Sequence, residues 1–179
     1  GPEVELFIDA NCSLDLYHAR QLCQMIEPFR IEFFEEPVTQ NDVRQLSELR
    51  SQTTIRLACG QNEGQAYRFR DMMIAGAVDI IQPNVAITGG FTQCQKIAAL
   101  ANSFNISVDN GGAWPFFNQH LQAGLSNGGL VEYHYSSVEV CKRLYIGLPE
   151  PKQGWLTMTD APGLGFELNT AALPHFEID

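Results

Sequence analysis

Ile31-Glu32-Phe33-Phe34-Glu35-Glu36-Pro37 decides how the rest of this 179-residue chain reads. A short β-type run, Ile31 to Phe34, ends in two carboxylates, and Pro37, which carries no backbone N–H, ends the strand. A stretch of helical period, Asp42 to Arg50, follows. The same unit recurs on both sides. Upstream, Val4 to Asp9 leads into the amphipathic segment Leu14 to Ile26, for which Ser13 or Asp15 can cap the start. Downstream, Ile55 to Cys59 leads into Gln65 to Ala75, and Asp79 to Gln82 leads through Gly89 and Gly90 into Thr92 to Ser103. Ile106 to Asp109 precedes a glycine-rich turn and Phe117 to Leu125, and Leu130 to Tyr133 is a last short strand. Six strands alternating with five helices, at about 25 residues per repeat, predict an α/β fold built on a parallel sheet.

Several of these strands are apolar at consecutive positions, as expected where both faces are covered. Each is followed by polar residues at its C-terminal end: Asp9 and Asn11, Glu35 and Glu36, Gln61 and Asn62, Asn84, Asp109 and Asn110, and Glu132. In a (β/α) barrel these residues converge on one mouth. In a doubly wound sheet they line a crevice at a switch point. Periodicity alone does not separate the two architectures.

Composition narrows the function classes. Nearly half the residues are apolar, so residues 1–179 are expected to form a single globular unit. A formal net charge of -10 repels phosphate backbones and anionic lipid head groups, which argues against nucleic-acid and membrane partners. No apolar run approaches the roughly 20 residues of a bilayer span, and no export signal is visible. Cys12, Cys23, Cys59, Cys94 and Cys141 stand singly, without the close spacing of a zinc site, and read as free thiols of a cytoplasmic protein. Cys23 and Cys59 fall on apolar faces and are expected in the core.

Asp9, Glu35 and Gln61, at three consecutive strand ends, can together hold one hard cation such as Mg²⁺. Beside a carboxylate substrate, such an ion stabilises the charge that develops when the neighbouring C–H proton is removed. Any one of these residues taken alone reads more readily as ordinary turn or cap chemistry.

Ile8-Asp9-Ala10-Asn11, Phe34-Glu35-Glu36-Pro37, Asp79-Ile80-Ile81-Gln82-Pro83-Asn84 and Gly89-Gly90-Phe91-Thr92 occur in the order and spacing of the enolase superfamily. With the closing Pro162-Gly163-Leu164-Gly165, the chain resembles the mandelate racemase and muconate lactonizing enzyme branch, from Val4 to about Leu168. The resemblance implies a partial TIM-type barrel of about six parallel strands. The family's first two barrel strands and its capping domain are absent from the matched stretch. It further implies a Mg²⁺-dependent lyase or isomerase that abstracts the proton alpha to a carboxylate, as in hydroxy-acid or acid-sugar dehydratases. Asp9 and Glu35 match the first two metal ligands, with Glu36 a neighbour rather than a ligand. Gln61 stands where the family usually places a third acidic ligand, which should weaken the metal, and Glu63 compensates if its loop bends inward.

Other departures concern proton transfer. Asn84 replaces the Asp that racemase-like members pair with a His, and Gly111 is aligned where that His would lie. Asn84 cannot act as a carboxylate but can bind a substrate hydroxyl. Asp109 becomes the substitute acid or base, and Glu132 matches a position near the substrate carboxylate or leaving group. Lys96, Lys142 and Lys152 fall at no strand end. His120 reads as a packing residue, His18 and His175 as surface residues, and His134 shares a face with Glu132 while the strand persists. Trp114 and Phe116 either wall a pocket or plug the barrel end.

Without the imidazole, dehydration is favoured over racemisation. For this chain alone the reading leans away from efficient turnover, and a non-catalytic remnant or oligomeric binding module stands as the alternative. Six strands also leave two unpaired sheet edges, for which a homo-oligomer is the expected cover.

Overall fold

The computed structural model describes residue 1 and residues 3–176. Six parallel strands form one sheet in the order of the sequence: β1 (Leu6–Asp9), β2 (Ile31–Glu35), β3 (Arg56–Cys59), β4 (Ile80–Ile81), β5 (Ser107–Asn110) and β6 (Gly128–Val131). Sequential order, with every strand parallel to the next, is the barrel alternative and not the doubly wound one. The sheet is curled but open. Its edge strands face one another across a cavity of about 380 Å³ lined by Phe7, Ile8 and Asp9 from one side and Leu130, Val131 and Glu132 from the other.

Helices α1 (Leu16–Ile26), α2 (Val43–Arg50), α3 (Ala66–Ile74), α4 (Gly90–Ser103) and α5 (Pro115–Ala123) connect successive strands. The sequence explains where two of them start. Asp15 and Asp42 accept backbone N–H groups of the first turns of α1 and α2 through their carboxylates, satisfying donors that have no partner within the helix.

The period of two along each strand sorts the sheet into two faces. Phe34, Leu57, Cys59, Ile81 and Val108 pack outward against Leu46, Leu49, Phe69, Met72 and Ile97 of the helices. Phe33, Ala58 and Ile80 form a small apolar layer on the inner face, and Phe7 joins it with its ring 4.7 Å from that of Phe33. Cys23 and Cys59 are core residues, and all five cysteines are free. No described helix is long and apolar enough to cross a membrane.

The chain continues past the last expected strand. Helix α6 (Tyr135–Leu144), an antiparallel pair, β7 (Tyr145–Ile146) with β8 (Glu167–Leu168), and a 3-10 turn, Leu173–His175, follow it. Phe116 packs with Val138 and Cys141 of α6, and Trp114 and Phe166 lean on that cluster. Trp114 and Phe116 thus serve packing of the C-terminal segment.

Candidate active site

The layer above Phe33 and Ile80 is polar. Asp9 and Glu35 are register partners at the ends of β1 and β2, two residues beyond Phe7 and Phe33, so the inward face that begins apolar ends in carboxylates. Asp109 and Glu132 line the same cavity from β5 and just past β6.

Glu35 is 9 % exposed. Burial pushes its carboxyl up to about 8, a hydrogen bond from the Gln82 amide opposes that, and the charges of Asp9, Glu132 and Glu36 add to the rise. Burial also raises Asp9; the Asn11 N–H, 2.6 Å from its Oδ1, opposes the rise, and Glu36 and Glu132 increase it. Among the described residues no Lys, Arg or His forms an ion pair with Asp9, Glu35, Glu36 or Glu132. Uncompensated carboxylates in so small a space are electrostatically unfavourable by themselves and fit a cation.

The oxygen donors expected from the sequence are two carboxylates and an amide. Among the described residues no three His, Cys, Asp or Glu side chains are grouped to hold a metal. Gln61, expected as a third oxygen donor, is buried just after β3 and is not among the residues that line the cavity of Asp9 and Glu35. Its Nε2 donates to Glu36 Oε2 at 2.9 Å. The condition under which Glu63 could compensate is not met: both its oxygens are taken by Arg68, at 3.0 Å each.

Asp109 is 8 % exposed. Burial raises its pKa, against the Leu130 N–H at 2.8 Å and the charge of Arg56. Gly129 makes this approach possible, since a Cβ there would lie 2.1 Å from Asp109 Oδ1. Gly111, aligned with the family's histidine, is equally constrained: a Cβ would stand 2.7 Å from Gln82 Nε2 and 2.9 Å from Glu35 Oε1.

The structure gives Asn84 a different task from the substrate contact expected of it. It is fully buried, and its Nδ2 donates to the carbonyls of Gly111, Gly112 and Ala113 while its Oδ1 accepts from Ala86. No donor remains for a substrate hydroxyl. What Asn84 does instead is hold the 111–113 loop, whose Ala113 N–H donates to Glu132 Oε2 at 2.7 Å. His134 departs from the face of Glu132 because β6 ends at Val131; it is exposed at the N-terminus of α6, and its Nδ1 is 2.9 Å from the Ser136 hydroxyl. His120 is half-buried, 3.0 Å from the Leu164 carbonyl, which is the packing role anticipated. Lys96 is exposed on α4.

An open parallel α/β barrel whose acidic residues gather at the C-terminal ends of neighbouring strands is an enzyme-barrel architecture. The particular family follows from sequence comparison: residues 1–172 match the enolase C-terminal domain-like family, and the chain belongs to the enolase superfamily, mandelate racemase and muconate lactonizing enzyme branch. It is 28% identical over 184 residues to a D-gluconate dehydratase of Thermoproteus tenax, covering 100% of this chain and 37% of that protein. Among solved structures, L-talarate dehydratase from Polaromonas sp. JS666, complexed with Mg and L-glucarate, is 27% identical with a TM-score of 0.89, covering 97% of this chain and 47% of that one. The 3,6-anhydro-D-galactonate cycloisomerase from Zobellia galactanivorans is 30% identical with a TM-score of 0.90, over 98% and 51%. The chain thus spans 37% to 51% of the length of these relatives.

Proposed function

We propose that this chain is the cation-holding barrel portion of a Mg²⁺-dependent dehydratase that removes the proton alpha to the carboxylate of a hydroxy acid or acid sugar. The observation that carries the reading is the pairing of Asp9 with Glu35 in one small cavity with no cationic partner among the described residues. Dehydratases among the relatives point to the same chemistry.

Asp9, Glu35 and the Gln61 carbonyl would hold the ion, which when bound supplies Lewis-acid stabilisation of charge on the substrate carboxylate. The remaining work belongs to the side chains. Asp109, with a raised pKa and an aspect on the cavity, is placed to hold or release a proton. Glu132, held through one oxygen by the Ala113 N–H, presents its other oxygen for a leaving hydroxyl. Asn84 keeps the 111–113 loop, and through it Glu132, in position. The exposed edges β1 and β6 support a further reading that the protein works as a homo-oligomer.

Thermal unfolding with and without millimolar Mg²⁺, beside Asp9→Ala and Glu35→Ala, tests the site. At about 100-fold over Kd, binding adds roughly 2.7 kcal/mol, a shift on the order of 5–10 °C for a chain of this size. A shift lost in both variants supports the reading and justifies an acid-sugar screen. No shift in the unmodified chain overturns it in favour of a non-catalytic binding module.

A further inference from the structure

Glu36 is the most deeply buried carboxylate of the mouth, with no measurable exposure. It follows β2, and its backbone φ of 41° takes it out of the strand's alternation. Strand geometry would send Glu36 to the face opposite Glu35, among the helices. Instead its carboxylate is surrounded by three side-chain amides and the Cys12 thiol: Asn41 Nδ2 donates to Oε1 at 2.8 Å, Gln61 Nε2 and Asn62 Nδ2 donate to Oε2 at 2.9 and 3.0 Å, and the thiol also donates to the carboxylate. No cation neutralises it among the described residues. A buried charge held only by neutral donors is expensive to keep and calls for a compensating gain.

The contact with Gln61 also settles which way that amide points. A carboxylate accepts only from the nitrogen end, so Gln61 Oε1 is turned to the side away from Glu36. That oxygen takes no hydrogen bond among the described residues, yet it is not sealed from solvent. An amide whose N–H donates to a carboxylate carries more negative charge on its carbonyl oxygen, by the same polarisation that makes a metal-bound imidazole more basic when its other nitrogen faces a carboxylate.

We infer that Glu36, Gln61 and the bound cation form a relay in which Glu36 is a positioning residue: it fixes the Gln61 carbonyl toward the ion and returns, one bond network further out, the negative charge that an amide at position 61 lacks. This rests on the Mg²⁺ reading above. It goes beyond it by giving a residue that touches neither ion nor substrate a defined part in affinity.

The test is a double-mutant cycle on the whole chain, read by calorimetric Mg²⁺ titration, with melting of the metal-free proteins as the control for folding. Glu36→Gln should lower Mg²⁺ affinity about 10- to 100-fold. In a Gln61→Glu background, where two carboxylates would otherwise face one another, the same change should raise affinity. That reversal of sign is not what a merely structural Glu36 produces, since a loss of packing lowers both backgrounds alike. Unchanged affinity in Glu36→Gln, or equal losses in both backgrounds, overturns the relay while leaving the metal site standing. If the unmodified chain binds no Mg²⁺, both the metal reading and the relay fall. Should Glu36→Gln not fold, Glu36→Asp carries the test: it keeps the charge but withdraws it from Gln61, and full affinity there overturns the proposal.

Discussion

The two ends of the half-barrel treat charge in opposite ways. At the floor, where the strands begin, acids meet bases: the Arg50 guanidinium lies 2.6 Å from Asp79 and also donates to the Gly76 carbonyl, Asp79 in turn accepts the Leu57 N–H, and Arg56 pairs with Glu32. At the mouth, Asp9, Glu35, Glu36 and Glu132 meet amides, backbone N–H groups and the Cys12 thiol, and no cation among the described residues. Paired charges tie neighbouring units together and ask for nothing more. Unpaired ones oppose the fold until a ligand answers them, which is why barrels carry stability at one end and chemistry at the other.

The sharpest way to break the contrast is at Gly60, which sets up the turn into Gln61. Its φ is 126°, and a Cβ would stand 2.5 Å from the buried Phe69 ring and 3.2 Å from Gln82 N. Gly60→Ala should cost about 3 kcal/mol in a urea melt and lower Mg²⁺ affinity as well. Next comes Glu35. Its folded pKa lies above the unfolded value of 4.5, so the stability it contributes is complete below about pH 4.5 and is lost as pH rises through about 8. Glu35→Gln should therefore stabilise the metal-free protein by on the order of 2 kcal/mol at pH 9 and abolish the Mg²⁺-induced shift. In the unmodified chain that shift should grow as pH rises toward 8, because ion and proton compete for one carboxylate.

At the floor the effects are smaller and blind to metal. Arg50→Ala leaves Asp79 with only the Leu57 N–H and should cost about 1–2 kcal/mol, equally with and without Mg²⁺. Glu48→Ala removes a partly exposed pair with Arg20 between α1 and α2 and should change stability by about 0.5 kcal/mol or less. A Mg²⁺-dependent effect at Arg50 would mean the two ends are coupled.

The sheet was legible because buried parallel strands announce themselves: Phe33-Phe34 followed by Glu35-Glu36, and Ile80-Ile81 followed by Gln82, are apolar runs stopped by polar residues. The start of α1 was legible to within Ser13 or Asp15, of which Asp15 is the cap, and the segment beginning at Asp42 was legible from its helical period. Helix α6 and the β7–β8 pair were not, since strands of two residues have no period to detect. At the site, Asp9, Glu35, Asp109 and Glu132 could be placed at strand ends from the apolar runs that precede them, and on one mouth only with the family resemblance. The role of Asn84 could not, because its partners lie 27 to 29 residues away on a loop. Nor could that of Glu36, whose left-handed φ at a non-glycine position leaves no mark in sequence.

The order of the strands has a bearing on how the protein reaches its structure. Each pairs only with its neighbour in sequence, partners standing 20 to 27 residues apart along the chain. Each pairing closes over a single β/α unit, so the sheet can grow by successive addition of one unit at a time. Asp9 and Glu35 come from one adjacent pair of strands. The two carboxylates are therefore brought together by a single local step, before the sheet has finished curling.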